Sequence, residues 1–109
     1  MIVTAWNNGA HCSSGAGYGL KIDINDRDRY FRKEWDQVIL ELDGRVDSVA
    51  VNIRKPSFWS NHCREVISKD LGKWLREQNK APWPRWKPPK MIMEPIADSR
   101  FSVRFLYSK

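Results

Sequence analysis

Trp83 and Trp86 stand in a run of prolines and cations, Ala81-Pro-Trp-Pro-Arg-Trp-Lys-Pro-Pro-Lys90. Aromatic faces held beside positive charge are what single-stranded nucleic acid uses: rings stack on bases and cations meet phosphates. The four prolines among residues 82–89 favour extended, polyproline-like backbone without a hydrogen-bond ladder. Between Lys73 and Lys90 there are six Lys or Arg and one acid. Lys73, Arg76, Lys80, Arg85, Trp86, Lys87 and Lys90 are therefore the candidate nucleic-acid-binding residues. In a plainer account the rings fold back over the end of the preceding helix. That account is the better one for Trp83 and stands level for Trp86.

Other constellations invite chemistry and carry it less far. Gly15-x-Gly17-x-Gly19 suggests a phosphate loop, but the dinucleotide fingerprint needs a strand before it and a helix after it, and here a strand follows. A tight turn, or backbone lying close to a neighbour, explains the glycines more simply. The short polar side chains of Asn7, Asn8, Ser13 and Ser14, with Tyr18, form the wall of an alternative small-ligand site, with or without catalysis. His11-Cys12 and His62-Cys63 nominally offer four zinc ligands, but adjacent residues point apart and Cys63 falls on an apolar stripe. Neither a metal site nor a cofactor is expected. A nucleophile–base pair of Cys12 and His62 requires the fold to bring them together. Asp23-Ile-Asn-Asp-Arg-Asp28 has the look of a calcium loop yet lacks its central glycine and distant glutamate, so helix capping is the reading. Asp26, Asp28 and Glu34, interleaved with Arg27, Arg29, Arg32 and Lys33, read as a salt-bridged surface, where charge reversal at Arg27 and Arg29 should matter little to nucleic-acid binding.

The elements that must position these groups are ordered by one stretch, Ser60 to Asn79. Cys63, Val66, Ile67, Leu71, Trp74 and Leu75 make an apolar stripe of period 3.6, which predicts a single dominant amphipathic helix. Ser60 or Asn61 caps its start, Asn79 its end, and Pro82 forbids continuation. Glu65 and Lys69 form an i,i+4 pair on its outer face. Strands are predicted at 2–6, 20–24, 38–42, 48–53, 91–96 and 100–106. Asp43-Gly44 marks a hairpin, and a short helix over 27–35 is capped by Asn25 or Asp26. The order β-β-α-β-β-α-β-β, with short links, gives an α+β fold. It is a largely antiparallel curled sheet of about six strands packed on the dominant helix.

The chain has 109 residues, which reads as a single domain, 1–109. No run approaches a membrane span and the start lacks the pattern of a signal peptide, so no membrane partner is expected. Two cysteines are too few for a disulfide framework, which points to a reduced, cytoplasmic protein with Cys12 and Cys63 unbonded. The net charge of +6 is uneven: residues 1–53 carry six cations against eight acids, and residues 54–109 thirteen against five. Such asymmetry suits a polyanionic partner.

Taken together, Ala5-Trp-Asn-Asn-Gly9, Ser14-Gly-Ala-Gly-Tyr-Gly-Leu-Lys21, Ser57-Phe-Trp59 and Ala81-Pro-Trp-Pro84 resemble small single-domain bacterial proteins of unknown function, associated with mobile gene cassettes. The resemblance implies a bacterial cytoplasmic origin and brings no activity, cofactor or catalytic residue. The leading expectation is a non-enzymatic binding module whose basic C-terminal half contacts nucleic acid. Its rivals are the ligand pocket at the Gly/Ser/Asn loop and a protein-interaction module or homodimer using exposed tryptophans.

Overall fold

The computed structural model describes residues 1–106. The chain folds as β1 (Ile2–Asn7), β2 (Tyr18–Lys21), α1 (Ile24–Tyr30), β3 (Gln37–Leu42), β4 (Val49–Asn52), β5 (Glu65–Ile67), α2 (Lys69–Glu77), β6 (Lys90–Ala97) and β7 (Arg100–Phe105). All strands join one seven-stranded sheet in the order β4-β3-β7-β6-β1-β2-β5. Every pairing is antiparallel except β3 with β7. The sheet curls until its edge strands β4 and β5 meet, so it nearly closes on itself. The architecture is α+β, as the element pattern predicts, with one strand more. No helix among the described residues is long and apolar enough to cross a membrane.

Period-2 alternation aims one side of each strand inward. Val38, Leu40 and Leu42 of β3 meet Phe101 and Val103 of β7, Met91 and Met93 of β6, Val3 and Ala5 of β1, and Leu20 of β2, all buried. The two ends of β7 locate the two plugs. Phe105 stacks on the fully buried Trp74 of α2, centroids 4.6 Å apart and planes 13° apart. Phe101 stacks on Phe31, which also meets Phe58. One end is thus closed by α2, the other by α1 and the segment 53–64.

The dominant helix is shorter than its stripe predicts. It spans Lys69–Glu77, and Val66 and Ile67 belong to β5, paired with β2. Cys63, expected in the core, is exposed, as is Cys12, and both are free thiols. The division of the stripe has a physical cause. Ser60 Oγ does accept from main-chain amides, those of His62 and Cys63, but it closes a turn and no helix follows. Arg64 then takes a left-handed φ of 66°, which breaks any helical run. The true cap is Ser68, whose Oγ accepts from Asp70 N–H at 3.1 Å. Glu65 accordingly pairs across the strands with Lys21, not along a helix with Lys69. At the other end Asn79 takes the predicted left-handed cap, φ 59°.

The short helix is displaced in the same way. Asp23, not Asn25 or Asp26, caps α1 by accepting from Asn25 N–H at 3.0 Å. It ends at Tyr30 because Phe31 turns extended to enter the core. The second predicted strand likewise begins earlier, at Tyr18, and stops at Lys21.

Leu71 on α2 is fully buried among these elements. Leu71→Ala is expected to cost roughly 2–5 kcal/mol, as deletions of buried leucine do. Urea titration checks it, and a loss below about half a kcal/mol would contradict the placement of α2.

Candidate nucleic-acid interface

The proline-rich segment runs from the end of α2 to the start of β6. It is folded back at Trp83 and projects at Trp86. Trp83 is half-buried, meeting His11 edge-on at 4.8 Å between centroids and Tyr18 at 5.7 Å. Tyr18 is buried, and its hydroxyl lies 2.9 Å from His11 Nδ1. Arg76 locks the assembly from α2. Its Nη2 donates to the His11 carbonyl at 2.5 Å and its Nε to the Cys12 carbonyl at 3.2 Å. Its guanidinium lies 5.8 Å from the centre of the Tyr18 ring. Arg76, expected to meet phosphate, therefore spends its donors inside the protein.

The glycines of the same loop serve close packing. Gly15 lies against the Lys69 carbonyl and Gly72 of α2, Gly17 against the Asn8 side chain, and Gly19 against the Val66 carbonyl. The polar side chains proposed as a ligand wall are turned to their own main chain. Asn7 Oδ1 accepts from Gly9 and His11, Asn8 Oδ1 from Ala10, and Ser14 Oγ from Ala16. Ser13 is exposed. His62 and Cys63 precede Glu65, which pairs with Lys21, whereas Cys12 lies beyond Tyr18 at the other end of β2. The two His-Cys pairs are therefore held apart. No cluster of three or more His, Cys, Asp or Glu arranged for a metal occurs among the described residues.

Beyond Trp83 the chain makes a turn in which Lys87 N–H donates to the Pro84 carbonyl at 3.0 Å. Its third residue, Trp86, takes φ 69°, a left-handed conformation that suits glycine and strains a bulky side chain by about 1–2 kcal/mol. The residue is 84% exposed, and the Arg85 guanidinium lies 5.2 Å from the centre of its ring. A strained turn that presents an aromatic face to solvent beside a cation has no role in packing this core.

Arg85, Lys87 and Lys90 of the same segment are exposed, as is Lys73 on α2. Lys80 lays its ammonium 5.1 Å from the centre of the Phe105 ring, and Lys90 Nζ reaches Thr4 Oγ1 at 3.3 Å. Among the described residues none of the six cations from Lys73 to Lys90 pairs with an acid. Lys21, Arg27, Arg45, Arg54, Arg100 and Arg104 do, with Glu65, Asp28, Glu77, Asp36, Glu41 and Glu94 respectively. The positive potential of the 73–90 region is thus uncompensated by contact pairs.

A second aromatic–cation cluster was not anticipated from the sequence. Lys33, Arg54, Lys55 and Pro56 wall a cleft of about 270 Å³ beside Trp59. The signal was present in Arg54-Lys-Pro-Ser-Phe-Trp59, the same mixture of cations, proline and tryptophan found at 84–87. Two other clefts, of about 300 and 390 Å³, mix acids with their cations: Glu41 and Asp43 with Arg45 and Arg104 in one, Asp28 and Asp98 with Arg29 and Arg32 in the other. None of these clefts is lined by the 7–19 loop.

Compared with protein-family models, curated proteins and solved structures, the chain matches none of them.

Proposed function

We propose that the protein is a non-enzymatic binding module that contacts nucleic acid through the turn at Trp86 and the cations beside it. The observation that carries the reading is the exposed indole of Trp86, held in a left-handed turn next to Arg85 and Lys87. Trp86 stacks on a base, while Arg85, Lys87, Lys90 and Lys73 neutralise phosphates. Arg76 and Trp83 position the turn and touch no ligand. Lys80, half-buried on Phe105, contributes field more than contact.

The roles separate by variant. Lys87→Ala with Lys90→Ala is expected to reduce the log–log salt slope of binding by about one to two units. Trp86→Ala is expected to cost roughly 1–3 kcal/mol of affinity at any salt concentration. Arg29→Glu, remote from the turn, should leave both unchanged. Fluorescence anisotropy with labelled oligonucleotides reads all three. Equal losses from the Trp86 and Arg29 variants would contradict the assignment.

A further inference from the structure

The cleft beside Trp59 shares no residue with the surface at Trp86 and lies by α1 and the segment 53–64, at the opposite end of the barrel from α2. Its indole is fixed. Trp59 Nε1–H donates to the Ile53 carbonyl at 2.9 Å, and Phe58 meets the ring at 90° with centroids 5.1 Å apart. The buried guanidinium of Arg27, anchored on the Phe58 and Ser60 carbonyls, lies 5.4 Å from the ring centre. The ammonium of the exposed Lys33 lies 5.8 Å from it.

Among the described residues Lys33 and Lys55 have no acidic partner, and Arg54 has Asp36 at 3.0 Å. Both members of that pair are largely exposed, so it stabilises little and an anion can take Arg54 from Asp36. A rim of three cations excludes a cationic guest. It favours a ligand that is planar and aromatic on one side and anionic on the other.

We propose that the Trp59 cleft binds a nucleotide unit, with its base against the indole and its phosphate among Lys33, Arg54 and Lys55. Lys33 leaves the ring for the phosphate as the base arrives. The cleft is smaller than a drug-sized pocket, so it takes one base, leaves the sugar in solvent, and holds the unit with a Kd of about 1 mM. A neutral nucleoside forfeits the phosphate contacts, and inorganic phosphate forfeits the stack. The unit is either a free mononucleotide or one residue of a strand, which offer the same chemistry.

Two-dimensional ¹H–¹⁵N spectra follow the indole N–H of Trp59, assigned by its loss in Trp59→Phe. Titration of the whole protein with AMP to about 10 mM is expected to shift that resonance saturably, with adenosine and inorganic phosphate each at least about tenfold weaker. Lys33→Glu with Lys55→Glu, changes to side chains outside the core, should keep the spectrum dispersed and weaken AMP at least about tenfold. A short single strand added to the Trp86→Ala, Lys87→Ala protein distinguishes the sources. A Trp59 shift there assigns the unit to a strand, and a shift with AMP alone assigns it to the free mononucleotide. No saturable shift with either, an equal response to adenosine, or a response untouched by the two charge reversals overturns the proposal. Because the strand arm lacks the Trp86 surface, loss of binding at Trp86 leaves this test intact.

Discussion

Gly72→Ala is expected to destabilise the protein by about 3 kcal/mol or more, although alanine ordinarily improves a helix interior over glycine by about 1 kcal/mol. A Cβ at Gly72 would overlap the Gly15 carbonyl and lie 2.6 Å from its carbon. The approach is equally close from the Gly15 side. Gly15 takes φ 92°, and its own added Cβ would lie 2.8 Å from Lys73 N. Backbone meets backbone, so no rotamer change relieves the overlap. The substitution must push the 8–17 loop off α2, which also loosens the grip of Arg76 on the His11 and Cys12 carbonyls and the seat of Trp83. Thermal and urea unfolding check the loss. Stability equal to or above that of the unsubstituted protein would show that the loop does not pack on α2 as described.

Arg27→Ala should cost roughly 3 kcal/mol, a second large effect from a residue that reads as surface. Its side chain is buried, and its Nη1 donates to the Phe58 carbonyl at 3.0 Å and the Ser60 carbonyl at 2.6 Å. Hydrogen bonds from charged donors contribute about 1.5–3 kcal/mol each, and their removal here leaves two carbonyls of the 53–64 plug without this donor. Arg27→Glu should be worse, placing an anion against the same carbonyls. Arg29→Glu, on the exposed side of α1 with its guanidinium 5.3 Å from the centre of the Tyr30 ring, should stay within about 0.5 kcal/mol. Chemical denaturation of the three variants tests the contrast. Equal small losses at positions 27 and 29 would return Arg27 to the salt-bridged surface of the sequence reading.

That contrast shows where local pattern stops being informative. Strands with clean alternation, such as Val38-Ile-Leu-Glu-Leu42 and Phe101-Ser-Val-Arg-Phe105, are legible because period 2 and burial agree. The run from Cys63 to Leu75 is not, because a three-residue strand followed by a helix imitates one long stripe. Only Arg64 in its left-handed turn and the Ser68 cap divide it. Arg27 sits among acids and cations in sequence, and its burial depends on carbonyls more than thirty residues away. The parallel pairing of β3 with β7 is equally non-local. At the candidate site the composition of 81–90 was legible, and so was an inward turn of Trp83, although its ring seats on His11 and Tyr18 and not on the end of the helix. The withdrawal of Arg76 into the 11–12 loop was not, since it needs the loop's tertiary position. Ser57-Phe-Trp59 leads in sequence toward a helix predicted from Ser60, whereas α2 is capped at Ser68, and only the fold gathers Lys33 with Arg54 and Lys55 beside the Trp59 ring.

The most direct test of nucleic-acid contact is the anisotropy of labelled single- and double-stranded oligonucleotides with the unsubstituted protein at two salt concentrations. The geometry at Trp86 predicts non-specific binding, micromolar or weaker, that engages about four phosphates. Its log–log salt slope should be near −3 for single strands and nearer −4 for duplex. Absence of binding at low salt, or an affinity indifferent to salt, would contradict it.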